Sequence, residues 1–417
     1  MQIEDLRLGF VSARSAYAEG EKVWVDAGVG RLVDVWAPEC RQFTLTMSLA
    51  PRRMPYHDHL LSISRSQFLP MPWLPSVARG FHKAAACRRV IRQTEAQSDV
   101  LLVQLPFAAP LALLGPRTPR VYHLCADIWN VARTSPLYRG VKRLPALAFG
   151  AAIDLLQRRL LHGPHARAVT NGATLREHFG FPAGRSVVSA TIMEKEILCA
   201  RRQRPTDAPF RILYVGFIRE EKGVDVLLDA YEQLLAEIPQ AELVIVGGRS
   251  MVDHGMSQRL DRRAAELNRT GAVMLLGQLE FGPELFQCFA DADVLAVPSR
   301  AEGTPRVLIE ARAFACPVVA TAVGGIPSSI ADEVDGLLIP PDNPSALRQA
   351  ILRIARDPLL KQRLIKAGLE RVRQSTVEVY AQAIAQEVVL AFKASQPPLI
   401  PAVALVADEA TPIELGR

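Results

Sequence analysis

The chain has 417 residues, 49% of them hydrophobic and 22% charged, with a net charge of +6. That is enough chain for two domains and a composition that excludes disordered, collagen-like and coiled-coil classes. No run of 18 apolar residues occurs (residues 106–115 and 144–156 come closest), so no membrane-spanning helix is expected.

The N-terminus, MQIEDLRLGF, has neither a basic start nor a long apolar run, and no signal peptide is expected. LRLGFVSAR (6–14) reads as a strand, with Gly20 in the loop after it. VLLVQLP (100–106) and RVYHLCAD (120–127) read as further strands, the second ending near His123 and Asp127. Residues 139–162 mix basic and apolar side chains, as either a core-facing helix or one resting on an anionic membrane would. Residues 166–180 predict a strand, a turn and a helix, and the polar, basic stretch 201–209 reads as a linker.

Beyond it the pattern becomes regular. Strands are predicted at 211–218, 242–248, 273–277, 293–299, 317–325 and 337–341. Helices are predicted at 224–238, near 256–268, and at 282–292, 305–315, 344–356 and 358–373. A last helix is expected over 377–395, and 396–417 reads as a disordered tail. Alternation of this kind predicts a parallel, doubly wound α/β sheet with ligands at the carboxyl ends of its strands. Gly216, Gly247, Gly277, Glu302 and Gly324 all fall at such ends.

Residues 298–310, PSRAEGTPRVLIE, carry the most chemistry. A strand runs into a loop holding Glu302, then turns through Gly303 and Thr304 into a helix expected to start at Pro305, with Thr304 as its cap. Carboxylates at Glu302 and Glu310 suit vicinal hydroxyls, and a helix N-terminus suits phosphate. Upstream, Lys222 lies in the loop after strand 211–218, where a cation can meet a departing diphosphate. Gly324 and Gly325 end another strand, where glycine lets backbone come close to a ligand.

VGFIREEKGVDVLLDAY, VPSRAEGTPRVLIEARAFACPVVAT and VGGIPSSI, in that order and spacing, resemble the C-terminal domain of family 4 retaining glycosyltransferases, well over residues 205–375 and loosely before them. The resemblance implies the GT-B fold, two Rossmann-like doubly wound domains facing a cleft. The domains would be residues 1–204 on the acceptor side and 205–375 on the nucleotide-sugar side, with helix 376–395 crossing back to the first. It implies that Glu302 contacts the donor sugar, that Glu310 receives the ribose hydroxyls, and that Gly303 and Thr304 line the sugar and phosphate. Gly216, Gly277, Gly324 and Gly325 would complete the donor site, with Lys222 on the diphosphate. Gly20, His123 and Asp127 would stand on the acceptor side, Asp127 among the catalytic residues. Two positions depart from the pattern: Phe217 stands where an Arg is common, leaving Arg219 as a candidate substitute, and Ser328 stands where a Glu is usual.

The reading is a retaining glycosyltransferase moving a sugar from a nucleotide-sugar donor to a glycan or polyprenyl-linked acceptor, in polysaccharide or cell-surface glycan biosynthesis. The rivals are a catalytically weak partner subunit and an epimerase of the same fold. No cofactor or metal is expected, since no Asp-x-Asp pair stands beside the carboxyl end of a strand. Residues 1–205 hold 28 Lys+Arg against 15 Asp+Glu and the remainder 21 against 28, so the basic half is expected to meet an anionic partner such as a membrane surface. Zinc-finger spacing and RNA-binding aromatics are missing, and nucleic acid is not expected. Six scattered cysteines fit reduced thiols and a cytoplasmic protein, at most peripheral on the inner membrane face.

Overall fold

The computed structural model describes residues 2–74, 83–106, 118–134, 140–163, 166–199, 205, 207–248, 254–269 and 272–396. The linker 201–209 falls largely, and the tail 396–417 almost wholly, outside these residues.

The N-terminal half contains β1 (Arg7–Glu19), β2 (Lys22–Val25), α1 (Ala27–Trp36), β3 (Gln42–Leu49), β4 (His59–Leu60), β5 (Phe68–Met71) and α2 (Ala84–Ala96). It continues with β6 (Val100–Leu105), β7 (Arg120–Leu124), α3 (Ile128–Thr134), α4 (Arg143–Leu161), β8 (Ala166–Asn171), α5 (Ala173–Phe179) and β9 (Gly184–Val187). Its sheet runs β4-β2-β1-β6-β7-β8-β9, with β3 pairing β1 and β5 pairing β3. All these pairs are parallel except β1–β2 and β2–β4.

The C-terminal half contains β10 (Arg211–Val215), α6 (Val224–Leu234), β11 (Glu242–Val246), α7 (His254–Leu267), β12 (Ala272–Gly277), α8 (Pro283–Asp291) and β13 (Val294–Val297). Then follow α9 (Val307–Ala313), β14 (Val318–Thr321), α10 (Ile326–Ser329), β15 (Leu337–Ile339), α11 (Pro344–Arg356), α12 (Pro358–Arg373) and α13 (Val377–Ser395). Its strands are all parallel in the order β12-β11-β10-β13-β14-β15. This is the doubly wound Rossmann order, whose direction reverses between β10 and β13 and opens a crevice at their carboxyl ends. Such strands are short apolar runs because both faces are covered: Ile212, Leu213 and Tyr214 are all buried. Side-chain caps set the helix starts, Asn343 and Asp357 each preceding a Pro at the first helical position.

The two halves have separate cores, and the chain passes between them twice. Ala190 belongs to the N-terminal core, whereas Ile192 packs in the C-terminal one, and Leu198 N donates to Ala313 O at 2.8 Å. The chain thus reaches the C-terminal core a dozen residues before position 205. Val372 still packs in that core, but Val377, Tyr380, Ile384 and Val388 of α13 fill the N-terminal one. α13 is further held by Trp36, whose indole N–H donates to Ala381 O at 3.1 Å, and by Arg167 and Arg185, which meet the buried Glu387 at 2.6 and 2.9 Å. Among the described residues no helix is long and apolar enough to cross a membrane.

Ile384 is fully buried, so Ile384→Ala is expected to cost about 2–5 kcal/mol. Leu390, on the same helix but 40% exposed, should cost about 0.5 kcal/mol or less when changed to Ala. Chemical denaturation of the two variants distinguishes them.

Candidate active site between the domains

The loops leaving β10 and β13 meet across the crevice. After β10 the backbone forms a tight turn over Glu220–Lys222, ended by Gly223 at φ +66°. A Cβ at Gly223 would stand 2.0 Å from Pro298 O, so only glycine lets this turn lie on the end of β13. The turn delivers Lys222 to Glu302, and the two side chains form an ion pair that Ser299 Oγ joins at 3.2 Å. Arg300 fastens the loops from outside, with two bonds to Asp225 (2.9 and 2.8 Å) and one to Glu220 O (2.7 Å). Both members of the Lys222–Glu302 pair keep some exposure, 22% and 13% of their side chains, so the pair is open to a ligand on one side.

Gly247, Gly324 and Gly325, at strand ends, lie against backbone that a Cβ would strike. Gly324, at φ +55°, would place a Cβ 1.8 Å from Glu302 O, and Gly325 N donates to Gly303 O at 2.9 Å. The pair therefore presses on the backbone that carries Glu302. Gly216 N donates to Val246 O at 3.0 Å, and Gly247 N donates to Gly277 O at 2.7 Å, which draws the ends of β10, β11 and β12 together.

Some expectations change. The helix expected from Pro305 begins at Val307 and has seven residues, after a tight turn in which Ile309 N donates to Arg306 O at 2.9 Å. Thr304 does not cap it. Its Oγ1 instead lies 2.6 Å from where a Cβ on Gly172 of the N-terminal half would be, so it faces across the cleft. The Arg219 guanidinium lies over the Phe217 ring at 4.9 Å and stands 3.7 Å from Glu221. Ser328 serves locally, donating to Gly325 O at 2.8 Å.

Glu310 is 7% exposed and accepts from Thr191 Oγ1 at 2.6 Å, a residue outside the C-terminal sheet. Burial raises its pKa, against the pull of nearby Arg306. Arg306 reaches the start of α1, where a Cβ on Gly28 would be 1.9 Å from its Nη1. Asp26 caps α1 by accepting from Val29 N at 3.0 Å. Burial alone would raise its carboxyl, but Arg14 at 3.7 Å and Arg306 hold it below the usual carboxylate range. Arg14 is aimed there by a bulge in β1, where pairing with β3 shifts between Val11 and Ser15.

The acceptor-side residues fare unevenly. Gly20 is not in the loop between the first strand and helix. β1 runs on to Glu19 and turns back, leaving Gly20, at φ +57°, exposed at the tip of the β1–β2 hairpin. The chain enters α1 through its cap Asp26, with Gly28 in the first turn, and Asp-Ala-Gly-Val-Gly at 26–30 was the signal for it: a capping side chain followed by glycines. His123 is 2% exposed and bonded through Nε2 to the Tyr380 hydroxyl at 2.6 Å, a core pairing with α13 and not a cleft-facing one. Asp127 caps α3 through Asn130 N (2.8 Å) and stands 3.9 Å from His178 Nε2. Asp127, Asp154 and His178 are close enough to share a cation. Arg158 already lies there, 2.8 Å from Asp154 and 3.2 Å from His178, and meets the negative charge.

Burial pushes the His123 imidazole down to about 4. The folded chain thus keeps it neutral while the unfolded chain protonates it below its ordinary value of 6.5. Its contribution to stability is complete above that value and is lost as pH falls from 6.5 towards 4, by up to about 1.4 kcal/mol per unit. Unfolding free energies measured across that window should fall less steeply, by about one proton, in His123→Gln.

Comparison with known proteins places this geometry. Residues 200–371 match the family model of glycosyl transferases group 1. A D-inositol 3-phosphate glycosyltransferase of Streptomyces bingchenggensis is 33% identical over 202 residues, 44% of this chain and 43% of that protein. One of Corynebacterium jeikeium is 35% identical over 166 residues, 39% of each. The chain spans less than half the length of the curated relatives it matches. Among solved structures, sucrose-phosphate synthase of Thermosynechococcus elongatus aligns with TM-score 0.71 at 21% identity, over 93% of this chain and all of that one. Anabaena HepE in complex with UDP-glucose aligns with TM-score 0.66 at 18% identity, over 92% and 100%. Residues 200–371 therefore resemble a glycosyl transferases group 1 domain, and the chain has the two-domain α/β architecture of the GT-B fold.

Proposed function

We propose that the chain is a retaining glycosyltransferase that takes a sugar from a nucleoside-diphosphate donor held mainly by the C-terminal domain. The Lys222–Glu302 pair at the topological switch point is the observation that carries this reading. A donor seated there would have its diphosphate against Lys222, where negative charge grows as the C1–O bond breaks. Its sugar hydroxyls would lie against Glu302 and its ribose near Glu310. The acceptor oxygen attacks C1 from the side the diphosphate leaves, and the acceptor proton passes to a phosphate oxygen. Lys222 meets the diphosphate charge without a divalent cation.

The acceptor is read as anionic: a glycan or polyprenyl-linked precursor approaching the basic N-terminal half at a membrane surface, in cell-surface glycan biosynthesis. The Arg14 and Arg306 guanidinium groups around Asp26 support an anionic acceptor. A phosphorylated compound also features in the names of the curated relatives and of sucrose-phosphate synthase. A second reading, a catalytically weak partner subunit, is favoured by one observation: the Arg219 guanidinium, the candidate substitute for a cation at Phe217, lies over the Phe217 ring and 3.7 Å from Glu221.

Nucleotide-sugar turnover by the purified chain tests both. Lys222→Met and Glu302→Gln are each expected to lower it about 10²–10³-fold, and chelation with EDTA to leave it unchanged. Unchanged turnover in both variants would sink the site assignment, and no turnover of any donor by the wild-type chain would favour the partner-subunit reading.

A further inference from the structure

α4 carries apolar side chains on both of its faces. Gly150, Ile153, Gln157 and Leu161 are buried and Leu156 and Leu160 pack partly against the core, while the amide atoms of Gln157 have no hydrogen-bond partner among the described residues. Gly150 is there because α3 crosses closely: a Cβ would meet Trp129 Cα and Ala132 Cβ at 3.3 Å each. Outward, Leu144 is 77%, Phe149 38% and Leu155 71% exposed, and Val141, in the turn just before the helix, is 92% exposed. Leu144, Ala148, Ala152 and Leu155 recur at helical spacing, so they form one stripe about 16 Å long. The core makes no use of these side chains, and an apolar stripe left in water marks an interaction surface.

The charges around the stripe select its partner. Between 140 and 163 the chain has four Lys or Arg and one acid, Asp154. That acid is already engaged by Arg158 and His178. Arg143 and Arg159 are exposed at either end of the stripe, and Arg133 is exposed at the end of α3. A helix with protruding leucines and a phenylalanine, arginines at its margins and no free carboxylate lies flat in the headgroup region of an anionic bilayer.

We propose that the α4 face, with Val141, Leu144, Phe149 and Leu155 inserted and Arg143 and Arg159 on the phosphates, docks the chain on an anionic lipid surface. This rests on reading the N-terminal half as the acceptor side, and it names the surface that brings that half to a lipid-anchored acceptor. The stripe serves binding to the bilayer, not the chemistry in the cleft.

Co-sedimentation of the full chain with vesicles tests it, comparing phosphatidylcholine alone with phosphatidylcholine containing phosphatidylglycerol. Binding to the anionic vesicles alone is expected, weakening as salt rises. Leu144→Glu/Leu155→Glu and, separately, Arg143→Glu/Arg159→Glu should each weaken it at least tenfold while leaving nucleotide-sugar turnover intact. Wild-type-like vesicle binding by both variants would overturn the proposal. So would a wild-type dimer that the leucine variant converts to monomer without any vesicle binding, which would assign the stripe to a second copy of the chain. Vesicle binding is read without turnover, so a failed Lys222 or Glu302 experiment leaves this result standing, and the reverse holds too.

Discussion

The ion pair between Lys222 and Glu302 holds together two loops that leave opposite sides of a sheet reversal. In a parallel sheet the loops at the carboxyl ends are free to diverge, because no hairpin joins them. Here several constraints force them together: the left-handed turn at Gly223, the Arg300–Asp225 clamp, and the two glycines that let the 324–325 turn press on the Glu302 backbone. A half-buried pair of this kind costs desolvation and is weak evidence for stability alone. Its placement makes sense as a preformed charge arrangement, set before any ligand arrives.

The second set of constraints acts between the halves. Arg306 and Glu310 lie on neighbouring turns of one short segment, and both engage residues outside the C-terminal sheet: Gly28 and Asp26 for the first, Thr191 for the second. Phe281 joins them. Arg31 lies over its ring at 4.7 Å, and its backbone N–H points to Asp58 at 3.4 Å. The segment that carries Glu302 and Glu310 is thus the same one that the N-terminal half grips.

The C-terminal half was legible because its strands are short apolar runs between amphipathic helices, and because Glu302, Glu310 and Lys222 sit in a tight, ordered set of motifs. Several details escaped because non-local packing decides them. Thr304 has the chemistry of a cap, but a position beside Gly172, over a hundred residues away, claims it. His123 was read at a strand end, yet its partner Tyr380 comes from a helix 257 residues later. Gly20 follows an apolar run as a loop glycine would. The extension of β1 into a hairpin depends on pairing with β2 and β3, which no local signal specifies. Arg306 and Arg14 carried no signal, because a charged side chain in a loop is ordinary until a buried Asp faces it.

The two passages of the chain between the halves lie side by side. Ile192, just after the outward passage, accepts from the N–H of Val377, just after the return, at 2.9 Å, and Glu194 N meets the Glu378 carboxylate close by. Two adjacent strands of covalent chain act as a pair of pins on one axis. They tie the halves at one place, and Arg306, reaching Gly28 of the N-terminal half, adds a tie made by a side chain instead of by the backbone.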